Sequence, residues 1–168
     1  MQNESEQLVA SIPRLRRYAR ALMGDRTGAD DLVQDTMERG WNKLASWRQG
    51  TDMRAWLFGI MHNLHVDQVR KPALTMVELD DDTPMPSFNA PQTDTLDIRD
   101  MESALKLLPI EQREVLLLVA LEEMTYDEVA IALGIPVGTV MSRLSRARER
   151  LRMLMEGRSV VSPLKVVK

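Results

Sequence analysis

Thr125-Tyr126-Asp127-Glu128-Val129-Ala130-Ile131-Ala132-Leu133-Gly134-Ile135-Pro136-Val137-Gly138-Thr139-Val140-Met141-Ser142-Arg143-Leu144 is the stretch that decides the fold. Thr125 and Glu128 fit the capping pattern in which a hydroxyl and a carboxylate each satisfy a backbone N–H of the first turn. Val129, Ala130 and Leu133 form an inner face, and small Ala130 suits a close helix crossing. Gly134 stops the helix, because glycine enters the left-handed region without steric cost. Pro136 suits the first turn of the next helix, where its missing N–H is no loss. The spacing predicts a short helix, a tight turn and a longer helix.

Laid out at about 100° per residue, the longer helix gathers Val137, Val140, Leu144, Ala147, Leu151 and Leu154 on one stripe. Thr139, Ser142, Ser145, Arg146 and Glu149 fall on the other side. Arg143 and Arg150 flank one edge, and Arg148 and Arg152 the other. The apolar stripe faces inward, leaving small hydroxyls and guanidinium groups outward. Such a helix can enter the major groove of DNA, with Ser and Arg against base edges and Thr, Ser and Arg against phosphates. A solvated basic helix on an ordinary core would carry the same arginines. The capped helix, Gly134 and Pro136 in register favour DNA.

Beyond this stretch the pattern predicts an all-α chain. Helices over 96–107, 110–122, 125–133 and 136–155 make a unit at 96–156, followed by a short, frayed tail at 157–168. Upstream, Leu8, Ile12, Leu15, Ala19 and Leu22 predict a helix over 7–23, and further helices are expected over about 28–45 and 53–70. Thr51 or Asp52 caps the third and Pro72 ends it, which gives a first unit at 1–71. Between them, 72–95 holds Pro72, Pro84, Pro86, Pro91 and Asp80-Asp81-Asp82 without helical or strand period. It reads as a flexible acidic linker. Each unit is close to the size below which a domain struggles to fold alone, so docking on a larger partner would help both.

The formal net charge is −3, unpromising for a nucleic-acid binder until it is resolved along the chain. Residues 1–71 carry a net of +2, 72–100 of −6, 101–135 of −5 and 136–168 of +6. The cations therefore sit in the front third and on the last helix. There are no cysteines and aromatic residues make up 4%, which excludes disulfides and Cys-ligated metals and disfavours sheets. No apolar run has the length of a membrane span and nothing resembles a signal peptide, so a cytoplasmic protein without membrane insertion is the default.

Several motifs together resemble a known family. Arg17-Tyr18-Ala19-Arg20, Ala29-Asp30-Asp31-Leu32-Val33-Gln34-Asp35-Thr36, Arg54-Ala55-Trp56-Leu57 and Asn63 are similar to region 2 of bacterial sigma factors. Leu107-Leu108-Pro109, Gln112-Arg113-Glu114-Val115 and the stretch through Leu144 are similar to region 4. The two-region layout resembles the extracytoplasmic-function (ECF) group. The resemblance implies a promoter-recognition factor with core RNA polymerase, promoter DNA and an anti-sigma factor as partners, in a stress or signal response. No catalytic group and no cofactor or metal are expected. It assigns core polymerase to Asp31, Leu32, Gln34, Asp35 and Glu38, on a polar acidic helix face apart from Leu32. It assigns the minus-ten element to the loop Trp47–Asp52 and the following helix, with Arg48, Gln49, Asn63, Arg70 and Lys71 as candidates. Thr139, Met141, Ser142, Arg143, Ser145, Arg146 and Arg148 match the minus-thirty-five readers. Met141 departs from relatives with a long polar or basic side chain there, so readout at that position is apolar or absent. Asp80, Asp81 and Asp82 either mimic nucleic-acid phosphates or act as a solvating spacer.

Other assignments compete. A stand-alone helix-turn-helix regulator would explain the last helices but not the region 2 motifs. His62 and His65 have a spacing that can share a metal, yet no further ligand motif accompanies them. Trp41, Trp47 and Trp56 are expected to pack rather than to wedge between bases.

Overall fold

The computed structural model describes residues 2–75 and 95–164, with side chains placed at 3–69 and 99–157. Most of the expected acidic linker, including Asp80, Asp81 and Asp82, lies outside them. The described residues form helices and no strand, in two bundles. The first holds α1 (Gln2–Ala10), α2 (Ile12–Met23), α3 (Arg26–Asn42), a 3-10 turn at Leu44–Ser46, and α4 (Met53–Thr75). The second holds α5 (Thr95–Leu107), α6 (Ile110–Ala120), α7 (Tyr126–Leu133) and α8 (Val137–Leu164).

The capping signals act as read. Glu128 N–H donates to Thr125 Oγ1 and Thr125 N–H to Glu128 Oε2, both at 3.2 Å. Gly134 closes α7 at φ 65°, a left-handed conformation that disfavours a side chain. Asp52, rather than Thr51, caps α4, accepting from Arg54 N–H at 2.9 Å. The Thr51 hydroxyl turns back to the Arg48 carbonyl.

Other boundaries move. The helix expected over 7–23 is two helices broken at Ser11, whose hydroxyl and N–H both turn back to the Gln7 carbonyl, ahead of Pro13. α3 starts earlier than residue 28 because Asp25 caps it, accepting from Gly28 N–H at 3.1 Å. Pro72 does not end α4, which runs to Thr75. Less than a turn follows the proline, so little hydrogen bonding is lost. α8 continues to Leu164 instead of fraying from Gly157, since one interior glycine costs a helix only about 1 kcal/mol. Trp56 and Trp47 rest partly buried against the core, but Trp41 is 57% exposed, because its position on α3 faces away from the bundle.

The bundles do not stand apart. A continuous apolar core runs from Leu8, Leu15, Leu22, Leu32, Leu57 and Phe58 to Val115, Leu118, Val129, Val140 and Leu144. Tyr18 and Phe58 pack edge to face with centroids 4.9 Å apart. α4 lies along α7, and α2 along α6. Gly59 permits this, since a Cβ there would stand 3.1 Å from the Ala132 carbonyl oxygen. Each half thus covers apolar surface of the other.

Candidate nucleic-acid interface

On α8, Val140, Leu144 and Ala147 are buried against the bundle, which turns the opposite side outward. Met141, Ser142, Ser145, Arg146 and Arg148 are exposed, and Thr139 and Arg143 are half-buried beside them. All seven residues expected to meet DNA therefore lie on one helix and reach its surface. The Ser142 hydroxyl donates to the Thr139 carbonyl at 3.1 Å, leaving its lone pairs outward. Arg143, Arg146, Arg148 and Arg150 have no acidic partner among the described residues, whereas Arg152 bonds Glu149 and Glu156. Those bonds hold the Arg152 guanidinium above its ordinary range. The free arginines sit closer to the start of α8, the end that meets base edges when a helix enters the groove.

In the first bundle, Asp31, Gln34, Asp35 and Glu38 line an exposed face of α3. Leu32 does not join them. It is fully buried, because its position points into the α2–α3–α4 core, so it packs the helix that carries the acidic face. Arg48 and Gln49 are exposed in the loop after the 3-10 turn, and Gln49 Nε2 donates to Glu4 Oε1 at 2.7 Å, tying the loop to α1. Asn63 is exposed on α4. Arg70 and Lys71 lie on the same helix, with side chains outside the described set.

A second constellation was not anticipated. Arg17 on α2 reaches Glu122, with Nε at 3.2 Å and Nη2 at 3.0 Å from Oε1, and also bonds the Leu121 carbonyl. Glu122 is fully buried there. Arg54 donates to the Glu122 carbonyl at 3.0 Å and lies 3.5 Å from Glu128 Oε2, the carboxylate that caps α7. His62 Nδ1 stands 2.8 Å from Glu114 Oε1. Arg113 bonds the Leu22 carbonyl across the halves and those of Leu105, Lys106 and Leu108 within its own. Burial raises the Tyr18 hydroxyl well above its usual range, and Glu114 and Glu122 push the same way. Burial lowers His65, against Glu114 and with His62 and Arg113. The two histidines of the H-x-x-H spacing are thus placed in the seam between the bundles. Beside it, Arg16, Arg17, Arg20, Arg26 and Lys106 line an open groove of about 690 Å³.

Two family patterns match this chain: the sigma2 domain of PhyR over residues 8–62 and sigma-70 region 4 over residues 98–151. The ECF RNA polymerase sigma factor EcfG of Rhodopseudomonas palustris is 36% identical over 151 residues, 89% of this chain and 83% of that protein. The chain belongs to the ECF sigma factors. Among solved structures, the sigma factor RpoE in complex with the anti-sigma factor NepR, from Bartonella quintana, matches with a TM-score of 0.79 and 33% identity. It covers 93% of this chain and 98% of that one. CnrH in complex with the cytosolic domain of CnrY matches with a TM-score of 0.69 and 28% identity, over 93% and 89% of the two chains.

In this ECF sigma factor the residues that sequence reasoning missed are Arg17, Arg54, Arg113, Glu114 and Glu122, as partners across the seam. A signal existed. Glu114 precedes Val115-Leu116-Leu117-Leu118, and a carboxylate set against an apolar run is buried only when something pairs with it. Nothing in the sequence names the partners: His62 lies 52 residues from Glu114, and Arg17 lies 105 residues from Glu122.

Proposed function

We propose that this sigma factor directs core RNA polymerase to promoters by dividing the work between its halves. Residues 1–71 hold core polymerase through Asp31, Gln34, Asp35 and Glu38 and open the minus-ten element with Arg48, Gln49, Asn63, Arg70 and Lys71. Residues 96–156 read the minus-thirty-five element through α8. An acidic helix face suits an arginine-bearing partner helix, and unpaired arginines beside small hydroxyls suit phosphates and base edges. The observation that carries the proposal is that the acidic face of α3 and the reading side of α8 both stay at the surface while the two halves are sealed together.

That combination has a geometric consequence. The two elements lie about 25 base pairs apart, roughly 85 Å at about 3.4 Å a step. A compact chain of this length has a radius of gyration of roughly 15 Å. The closed form therefore cannot hold both elements, although it leaves Arg48, Gln49, Asn63 and the reading side of α8 at the surface. Initiation requires the seam to open and polymerase to hold the halves apart. An anti-sigma factor that binds the closed form keeps the protein silent by distance. The RpoE complex supports an anti-sigma factor as the partner, since RpoE is a similar chain bound to the anti-sigma factor NepR. No single described helix is long and apolar enough to cross a membrane, and we place the protein with polymerase in the cytoplasm.

Run-off transcription with core polymerase on a pool of genomic fragments tests the proposal. Discrete start sites that depend on the added chain are expected. A chain that leaves polymerase without start-site selection, with any inhibitor removed, overturns it.

A further inference from the structure

We propose that Met141 is a specificity determinant that reads the 5-methyl group of a thymine in the minus-thirty-five element. The inference rests on the sigma-factor reading and concerns one side chain of it. Met141 is the fifth residue of α8 and is 50% exposed. At about 100° per residue, Met141, Ser145 and Arg148 share one stripe. The same three residues line a shallow groove with Tyr126 and Leu144. Arg148 stands roughly 10 Å further along the axis, at about 1.5 Å per residue. A recognition helix lays its N-terminal residues on base edges and its later ones toward the backbone, so Met141 meets bases where Arg148 meets phosphate.

Around Met141 the reading face is polar. Ser142, Ser145 and Arg146 are all exposed, and among these readers Met141 alone is apolar. A thioether has no proton to give a base acceptor and is a weak acceptor itself. The one apolar handle in the major groove is the thymine methyl. Methionine is unbranched and polarizable, which lets it close over so small a target. Arginine at the same place would instead favour guanine, through paired bonds to O6 and N7.

The test uses the full chain with core polymerase. Upstream elements are selected from randomised templates. Each thymine of the selected element, on either strand, is then replaced singly by deoxyuridine, which removes only the methyl. One position is expected to lose about fourfold in template competition, the worth of one buried methyl-sized group. Met141→Ala removes that sensitivity and leaves other positions unchanged. Met141→Arg moves the preference at the same base pair to guanine. Exposure at the surface keeps both variants folded, which circular dichroism checks. Normal start-site selection with indifference to deoxyuridine everywhere, or a penalty that survives in Met141→Ala, overturns the methyl contact alone. Loss of start-site selection in the unaltered chain overturns the sigma reading and this inference together.

Discussion

Arginine is used in opposite ways at the seam and on α8. At the seam, Arg17, Arg54 and Arg113 spend their donors on carboxylates and carbonyls, many of them across the two halves. On the outer face of α8, Arg143, Arg146, Arg148 and Arg150 meet no such acceptor among the described residues. The same cation is structural where the protein supplies the anion and receptive where it does not. Burial of the anion separates the cases: Glu122 is fully buried and must find its cation within the fold, whereas the outer face of α8 offers no buried carboxylate among the described residues, so its arginines can wait for a phosphate.

The contrast breaks first at Arg113. Arg113→Ala removes four hydrogen bonds to carbonyls, one of them across the halves, and is expected to lower unfolding stability by about 3 kcal/mol. Urea titration reads this as a lower midpoint at similar slope. Next comes the joint itself. Arg17→Ala with Arg54→Ala leaves Glu122 buried without a cation. Breaking a buried pair costs about 3–5 kcal/mol, but Arg17 is half-exposed, so about 2 kcal/mol is expected here. That shifts the open fraction about 30-fold. The chain lacks cysteine, so labels on Lys43→Cys and Arg150→Cys report the separation directly. It should lengthen with helicity intact, and an unchanged distance would mean that the apolar core alone holds the joint.

On the receptive side, Arg146→Ala should weaken promoter use by about 1–3 kcal/mol and relax preference at one base pair. Arg148→Ala should weaken all promoters alike and reduce the salt slope by about 1. If the two variants behave identically, the division between base and phosphate readers is wrong. The smallest effect comes from pH. His65 is held below its ordinary 6.5 by burial, so it binds a proton more readily once exposed. Its contribution is whole above about pH 6.5 and drains away as pH falls below that value. The melting temperature should drop between pH 7.5 and 5.5, and His65→Leu should flatten the change.

Local chemistry was legible and long-range pairing was not. Thr125, Glu128 and Gly134 announce α7 because a cap and a stop act within a few residues. The outward side of α8 follows from one helical period. Leu32 was misplaced because family motifs mix partner-facing and core positions on one helix, and only three-dimensional packing separates them. The seam was invisible for a stronger reason. Arg17 and Glu122 are 105 residues apart, and each alone looks like an ordinary surface charge.

Gly59 and Ala132 let two helix backbones touch, and this smooth contact has a consequence for handling the protein. Once pried apart, the two halves expose apolar core side chains such as Phe58 and Val129 with no polymerase in the test tube to shield them. Preparations of loosened variants should therefore clump with rising concentration, while the unaltered chain stays clear.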